Sequence, residues 1–199
     1  MKPLKFSHIT KTAGTSIENE GKKRSIFWGR WHLDYGWHHG TLKSKPSILV
    51  EKYDWFTVVR NPYTRIISEF HCTFGGMGAQ REKMLGFSKG DFNNYLIKKI
   101  KEMQPPNKYH LPAGQHYTPQ HYYTHDTATL SVLKFENLKP EFNSLMEKYK
   151  LSVALNKHEN SNPKIFYVSD INQKLRDLIN KVYEKDFEYF NYDLIPLTT

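Results

Sequence analysis

The chain has 199 residues, 38 % of them hydrophobic and 25 % charged, and its 29 Lys+Arg against 20 Asp+Glu give a formal charge of +9. A chain of this size can bury a core without staples, and this composition excludes wholesale disorder. A single cysteine excludes an internal disulfide framework or a multi-cysteine zinc site, the absence of any run of ~18 apolar residues excludes a membrane helix, and the excess positive charge calls for an anionic partner.

From the N-terminus, Lys5 to Thr10 alternates as a strand does and runs into Lys11-Thr12-Ala13-Gly14-Thr15-Ser16, followed by helix-compatible residues up to Gly21. A second strand is expected at Ser25–Trp28. Asp54–Val59 is almost continuously apolar and β-branched, the pattern of a strand covered on both faces. It ends at Arg60-Asn61-Pro62, where Asn61 suits a helix cap and Pro62 the first helical position. That helix would carry Ile66, Ile67, Phe70 and Phe74 at spacings of three and four. Another is expected over Asp91–Met103, with Phe92, Leu96, Ile100 and Met103 on one stripe and Pro105-Pro106 as its stop. Thr129–Phe135 reads as a strand and Glu141–Tyr149 as a helix. Ser169 is the expected cap of a long final helix that turns Ile171, Leu175, Leu178, Ile179, Val182 and Phe187 inward.

Strands alternating with helices predict an α/β fold with a mostly parallel sheet, as one domain over residues 1–199. Met1–Phe6 lacks the apolar stretch of a secretory signal, so the expectation is a soluble, cytoplasmic protein. The stretches 29–47, 75–90 and 104–125 read as loops and hold most of the His, Trp and Tyr residues.

Two places carry anion-binding chemistry. A strand opening through Lys11-Thr12-Ala13-Gly14-Thr15-Ser16 into a helix aims successive backbone N–H groups at an anion, with Gly14 allowing the curl. Thr12, Thr15 and Ser16 add hydroxyls and Lys11 a point charge. This is not a Walker loop, because Lys11 precedes Gly14 instead of following the glycines. Taken alone, the six residues also fit an ordinary strand–helix turn. Arg60 stands at the carboxyl end of a strand, where open α/β sheets bind ligands, and offers a planar fork of donors suited to phosphate. Ser68 follows eight residues later, at a helical spacing compatible with the same ligand. Together the two places imply a ligand anionic at two separate points.

The segment His8-Ile9-Thr10-Lys11-Thr12-Ala13-Gly14-Thr15-Ser16 resembles the 5′-phosphosulfate loop of sulfotransferases that use 3′-phosphoadenosine 5′-phosphosulfate (PAPS), and Val59–Phe70 resembles their 3′-phosphate motif. Phe135-Glu136-Asn137-Leu138 and the closing pattern Tyr183-x-x-Asp186-Phe187-x-x-Phe190-x-Tyr192 resemble the carbohydrate (heparan/chondroitin-type) branch. Thr10 stands where proline is common in the family, and Ala13 where glycine is common.

The resemblance implies a P-loop-like architecture, PAPS as donor with 3′,5′-bisphosphoadenosine as product, and a hydroxyl acceptor, with carbohydrate the expected class. It assigns the 5′-phosphate to residues 12–16, the 3′-phosphate to Arg60 and Ser68, and the charge on the bridging oxygen to Lys11. By the same resemblance the base that takes the acceptor proton is His39, with His38 second, in Trp37-His38-His39-Gly40. Adjacent histidines also fit a merely polar loop, and Glu18 is a lesser base candidate that equally fits a solvated helix position. No metal is expected; zinc on His32, His38 and His39 lacks the helical or cysteine pattern such sites use. Trp28, Trp31, Tyr35 and Trp37, and later Tyr117, Tyr122 and Tyr123, are either sugar-stacking faces or core. His116, Gln120 and His121 are weaker acceptor-positioning candidates, and Ser161 and Lys164 would close over the nucleotide. A nucleotide or small-molecule kinase would need a Walker loop, and a basic nucleic-acid-binding module would need a recognisable motif; neither is present, and no nucleic-acid partner is expected.

Overall fold

A computed structural model of the chain describes residues 1–29, 39–42, 45–103, 116–124, 130–155 and 164–195. The architecture is α/β: three parallel strands, β1 (Leu4–Ser7), β2 (Asp54–Val59) and β3 (Leu130–Lys134), form a sheet in the order β1-β2-β3, with helices packed against it. Phe6 pairs with Phe56, and Phe56 in turn with Ser131, so β2 is the central strand. That explains its apolar composition, since Trp55 through Val59 are all buried. The described residues form two compact units: those within 1–60 and 122–155 belong to the first, and those within 61–103, 116–121 and 164–195 to the second.

In the first unit, alternate residues of the strands put Leu4, Phe6, Phe56, Val58 and Leu133 on one sheet face. They pack with Ile17 of α1 (Gly14–Lys22) and with Leu138, Phe142, Leu145 and Met146 of α7 (Leu138–Lys148). Trp28 meets Phe56 and Phe142 edge-on, with ring centres 5.5 and 5.9 Å apart. On the opposite face Trp55 packs with Leu42, Tyr53 and the partly buried Leu49 of α2 (Ser47–Lys52). The strand expected at Ser25–Trp28 does not form. Ser25 takes a left-handed conformation (φ 58°) as the chain leaves α1, and the segment keeps a single backbone bond to β1, from Phe6 N–H to the Trp28 carbonyl.

The second unit begins with α3 (Pro62–Phe70), capped as the sequence predicts by the Asn61 side chain, which accepts from the Tyr63 N–H at 3.0 Å. The helix stops at Phe70, and Phe74, expected on its apolar stripe, is exposed. The chain folds back because the Met77 N–H reaches the Phe70 carbonyl, and Met77 joins the core in place of Phe74. Within 75–90, expected as loop, lies the short α4 (Arg81–Leu85). Next, α5 (Lys89–Glu102) is closed by a capping box between Ser88 and Asp91. From Tyr122 the chain belongs to the first unit again, and a single turn, α6 (His121–Thr124), precedes β3. The long final helix is two: α8 (Gln173–Val182) and α9 (Glu184–Phe190), broken at Tyr183. Ser169 lies in a 3-10 turn, and Asn172 is the cap, accepting from the Leu175 N–H while its own N–H donates to the Asn93 side chain of α5. Phe70 organises this core, with Phe92, Tyr95 and Phe166 edge-on around it.

Candidate active site

The loop between β1 and α1 is built from backbone strain and one close approach. Lys11 (φ 63°) and Ala13 (φ 68°) both adopt left-handed conformations, and Ala13 is the cap position of α1, with no side-chain cap. The curl expected of Gly14 is therefore carried by Lys11 and Ala13. Gly14 serves another purpose: a Cβ there would lie 1.9 Å from the His8 ring, so glycine makes room for that imidazole over the start of the helix. Thr12 is fully buried, and its Oγ1 donates to the Ile9 carbonyl at 2.9 Å, tying the loop to the end of its strand. Ser16 is buried, while Lys11, Ala13 and Thr15 are half-buried. The result is a left-handed residue feeding straight into a helix N-terminus, the geometry that turns backbone N–H groups toward an anion.

Arg60 meets this loop from the next strand. Its guanidinium donates to the Lys11 carbonyl at 3.2 Å and lies over the Phe135 ring, 4.0 Å from its centre. Phe135 is held in turn at the end of β3, because the N–H of Lys134 donates to the Glu141 carboxylate at 2.7 Å. The ends of β1, β2 and β3 thus contribute the loop, the cation and its aromatic support, at the edge where parallel sheets bind ligands.

His39 joins the same end of the unit. Its Nδ1 lies 2.9 Å from the His8 carbonyl oxygen, and its ring meets the His8 ring edge-on at 4.4 Å. A carbonyl only accepts, so Nδ1 carries a proton, and in the neutral imidazole the lone pair then belongs to Nε2. His8 is thus the residue that sequence reasoning left without a role: its ring occupies the space over Gly14 and its carbonyl orients His39. Its position at the head of the loop was the available signal.

Glu18 is fully buried in α1, not solvated, and its carboxylate is one of the influences opposing the burial that lowers the Lys5 ammonium below the usual lysine value. Ser68 lies on α3 in the second unit, half-buried. His32, His38, Trp31, Tyr35, Trp37 and Ser161 lie outside the described residues.

Several aromatic candidates prove to be packing. Trp28, Tyr117 and Tyr123 are almost wholly buried, leaving Tyr122 exposed. Gln120 and His121 are buried beside Asp186 of α9, whose carboxylate accepts both backbone N–H groups at 2.7 and 2.8 Å and the His121 Nδ1–H at 2.8 Å. His116 pairs with Glu69 at 2.7 Å; hydrogen bonds to Cys72 and Glu69 hold its imidazole up at about 9 against the effect of burial. Lys164 is exposed. No described helix is long and apolar enough to cross a membrane.

A model of the sulfotransferase family matches residues 32–193, a stretch that takes in His38, His39, Arg60, Ser68, Phe135 and the closing Tyr183–Tyr192 pattern. No curated protein and no solved structure matches the chain.

Proposed function

The chain belongs to the sulfotransferase family, and from that premise we propose that it transfers a sulfuryl group from PAPS to a hydroxyl of a carbohydrate, as one sulfotransferase-like domain over residues 1–199. The observation that carries the reading is the meeting of Arg60 with the Lys11 carbonyl, which brings a phosphate-binding fork to a loop already curled for an anion. The resemblance of Phe135–Leu138 and of the closing tyrosine-rich pattern to the carbohydrate branch supports the acceptor class.

The donor supplies the sulfuryl group. The backbone N–H groups of Thr12, Ala13, Gly14, Thr15 and Ser16 bind its 5′-phosphate, and Arg60, steadied on Phe135, binds the 3′-phosphate. The acceptor oxygen forms its bond to sulfur in line as the bridging bond from sulfur to the 5′-phosphate oxygen breaks. Lys11 stabilises the charge that develops on that departing oxygen. Nε2 of His39 takes the acceptor proton, its ring held by the His8 carbonyl. No step in this sequence calls for a metal ion.

Thermal shift assays test the donor class. Stabilisation by 3′,5′-bisphosphoadenosine without magnesium is expected, and a shift seen only with ATP and magnesium would favour a kinase instead. Labelled PAPS offered with a panel of glycans then tests the acceptor; incorporation only into non-carbohydrate hydroxyls would overturn that part.

A further inference from the structure

We propose that Glu69, Cys72 and His116 form a zinc-binding site within the second unit, separate in role from the sulfuryl-transfer residues. One ligand atom from each lies within 4.8 Å of the other two. Sulfur, imidazole nitrogen and carboxylate oxygen are together a donor set for zinc, and are poorly matched to magnesium or calcium. With metal–ligand distances of about 2.0–2.3 Å, a tetrahedral site has edges of about 3.3–3.8 Å. Bound zinc would draw the triad in to that spacing, with a water molecule as fourth ligand.

The carboxylate carries the inference. Glu69 is 1 % exposed, and its only ion-pair partner among the described residues is His116, at 2.7 Å from Oε1. Its other oxygen, Oε2, is buried with no hydrogen-bond partner among the described residues. A buried carboxylate oxygen without a partner is costly, and a bound cation removes that cost.

The backbone around the triad is tied together by hydrogen bonds. Glu69 lies in the last turn of α3 and Cys72 three residues on, with the Cys72 N–H bonded to the Glu69 carbonyl at 2.9 Å. The Cys72 carbonyl accepts from both Gly76 and Gly78, which wraps the following loop against the helix end. A Cβ at Gly75 would lie 2.3 Å from Glu69 Oε1 and 2.4 Å from His116 Nδ1. Glycine there lets the loop backbone lie directly against the donors. Zinc would join the end of α3 to the segment beginning at His116, a closure across more than forty residues of chain.

The test uses the full chain, stripped with chelator and titrated with zinc or cobalt ions alone. One equivalent of zinc is expected to bind, and to shield the thiol from iodoacetamide; because Cys72 is the chain's single cysteine, alkylation reports on it alone. Cobalt is expected to give a thiolate-to-metal charge-transfer band in the near ultraviolet. Cys72→Ser should abolish that band, and both Cys72→Ser and His116→Ala should weaken zinc by more than about tenfold, the lower end of what even outer-shell losses cost. Circular dichroism of the stripped variants checks that they fold. If they do not, the cobalt spectrum of the unaltered chain decides. No metal uptake, bound cobalt without the thiolate band, or zinc affinity equal in folded variants and parent would each overturn the site.

Discussion

The Arg60 guanidinium rests 4.0 Å above the centre of the Phe135 ring, so a cation at the end of one strand is supported by an aromatic face at the end of its neighbour. Such a contact is worth about 0.5–2 kcal/mol and also restricts where the guanidinium can point. Arg60→Ala is expected to weaken bisphosphoadenosine binding by about 1.5–3 kcal/mol, the range for hydrogen bonds to charged groups. An analogue lacking the 3′-phosphate should be barely affected. Phe135→Leu should produce a smaller loss with the same selectivity. Calorimetry with both ligands checks this, and equal losses for the two would remove Arg60 from the 3′-phosphate.

Lys11 sits at the turning point of the loop, with its carbonyl engaged by Arg60 and its backbone left-handed. Its side chain is assigned to charge that appears only as the sulfuryl group leaves, so Lys11→Ala should depress turnover far more than bisphosphoadenosine affinity. Steady-state kinetics set beside calorimetry separate the two. Unchanged turnover with a raised donor KM would refute the assignment.

For His39, removal of a general base typically costs ~10²–10⁴ in rate. His39→Ala should lose turnover on that scale while keeping bisphosphoadenosine affinity and thermal stability. The parent rate should decline on the acid side, because a protonated imidazole cannot accept the hydroxyl proton, and the variant's residual rate should lack that limb. Assaying His38→Ala in parallel tells the two histidines apart. If both variants keep normal turnover and the same pH profile, Glu18, buried in α1, is the next residue to test.

Ala13 and Gly14 should respond in opposite directions to the same one-carbon difference. A left-handed L-residue costs ~1–2 kcal/mol, and glycine returns roughly 0.4–1 kcal/mol of that as extra freedom in the unfolded chain. Ala13→Gly is therefore expected to raise stability by about 0.5–1 kcal/mol. Gly14→Ala drives a methyl group into the His8 ring and should destabilise by about 1–3 kcal/mol, as overpacking does. Adding His8→Ala should recover much of that loss, a coupling that denaturant unfolding of the four-member cycle would measure. Additive effects would show that the His8 ring is not what makes position 14 small.

Local chemistry made much of this protein readable in one dimension. The almost continuously apolar run Trp55–Val59 read as a covered strand and Asn61-Pro62 as the start of a helix, and both form where their residues stand. The loop at Lys11–Ser16 and Arg60 could each be singled out from a short stretch, but that the Arg60 guanidinium reaches the Lys11 carbonyl was visible only in the fold. What stayed hidden depended on residues far apart in the chain. Tyr183 breaks the final helix where its hydroxyl donates to the Tyr117 carbonyl at 2.5 Å, and the helix pattern in the sequence continues straight through it. Asn172 becomes the cap, in place of Ser169, because Asn93 holds it from another helix. Trp28 sits in a loop-like stretch, yet Phe56 and Phe142 bury it. The need for glycine at position 14 lies in the ring of His8, and the support of Arg60 in Phe135, 75 residues away. Periodicity, caps and turn chemistry act over a few residues and so are written in their order. Which ring fills which space is settled by close packing among many partners at once, and only the folded chain brings those partners together.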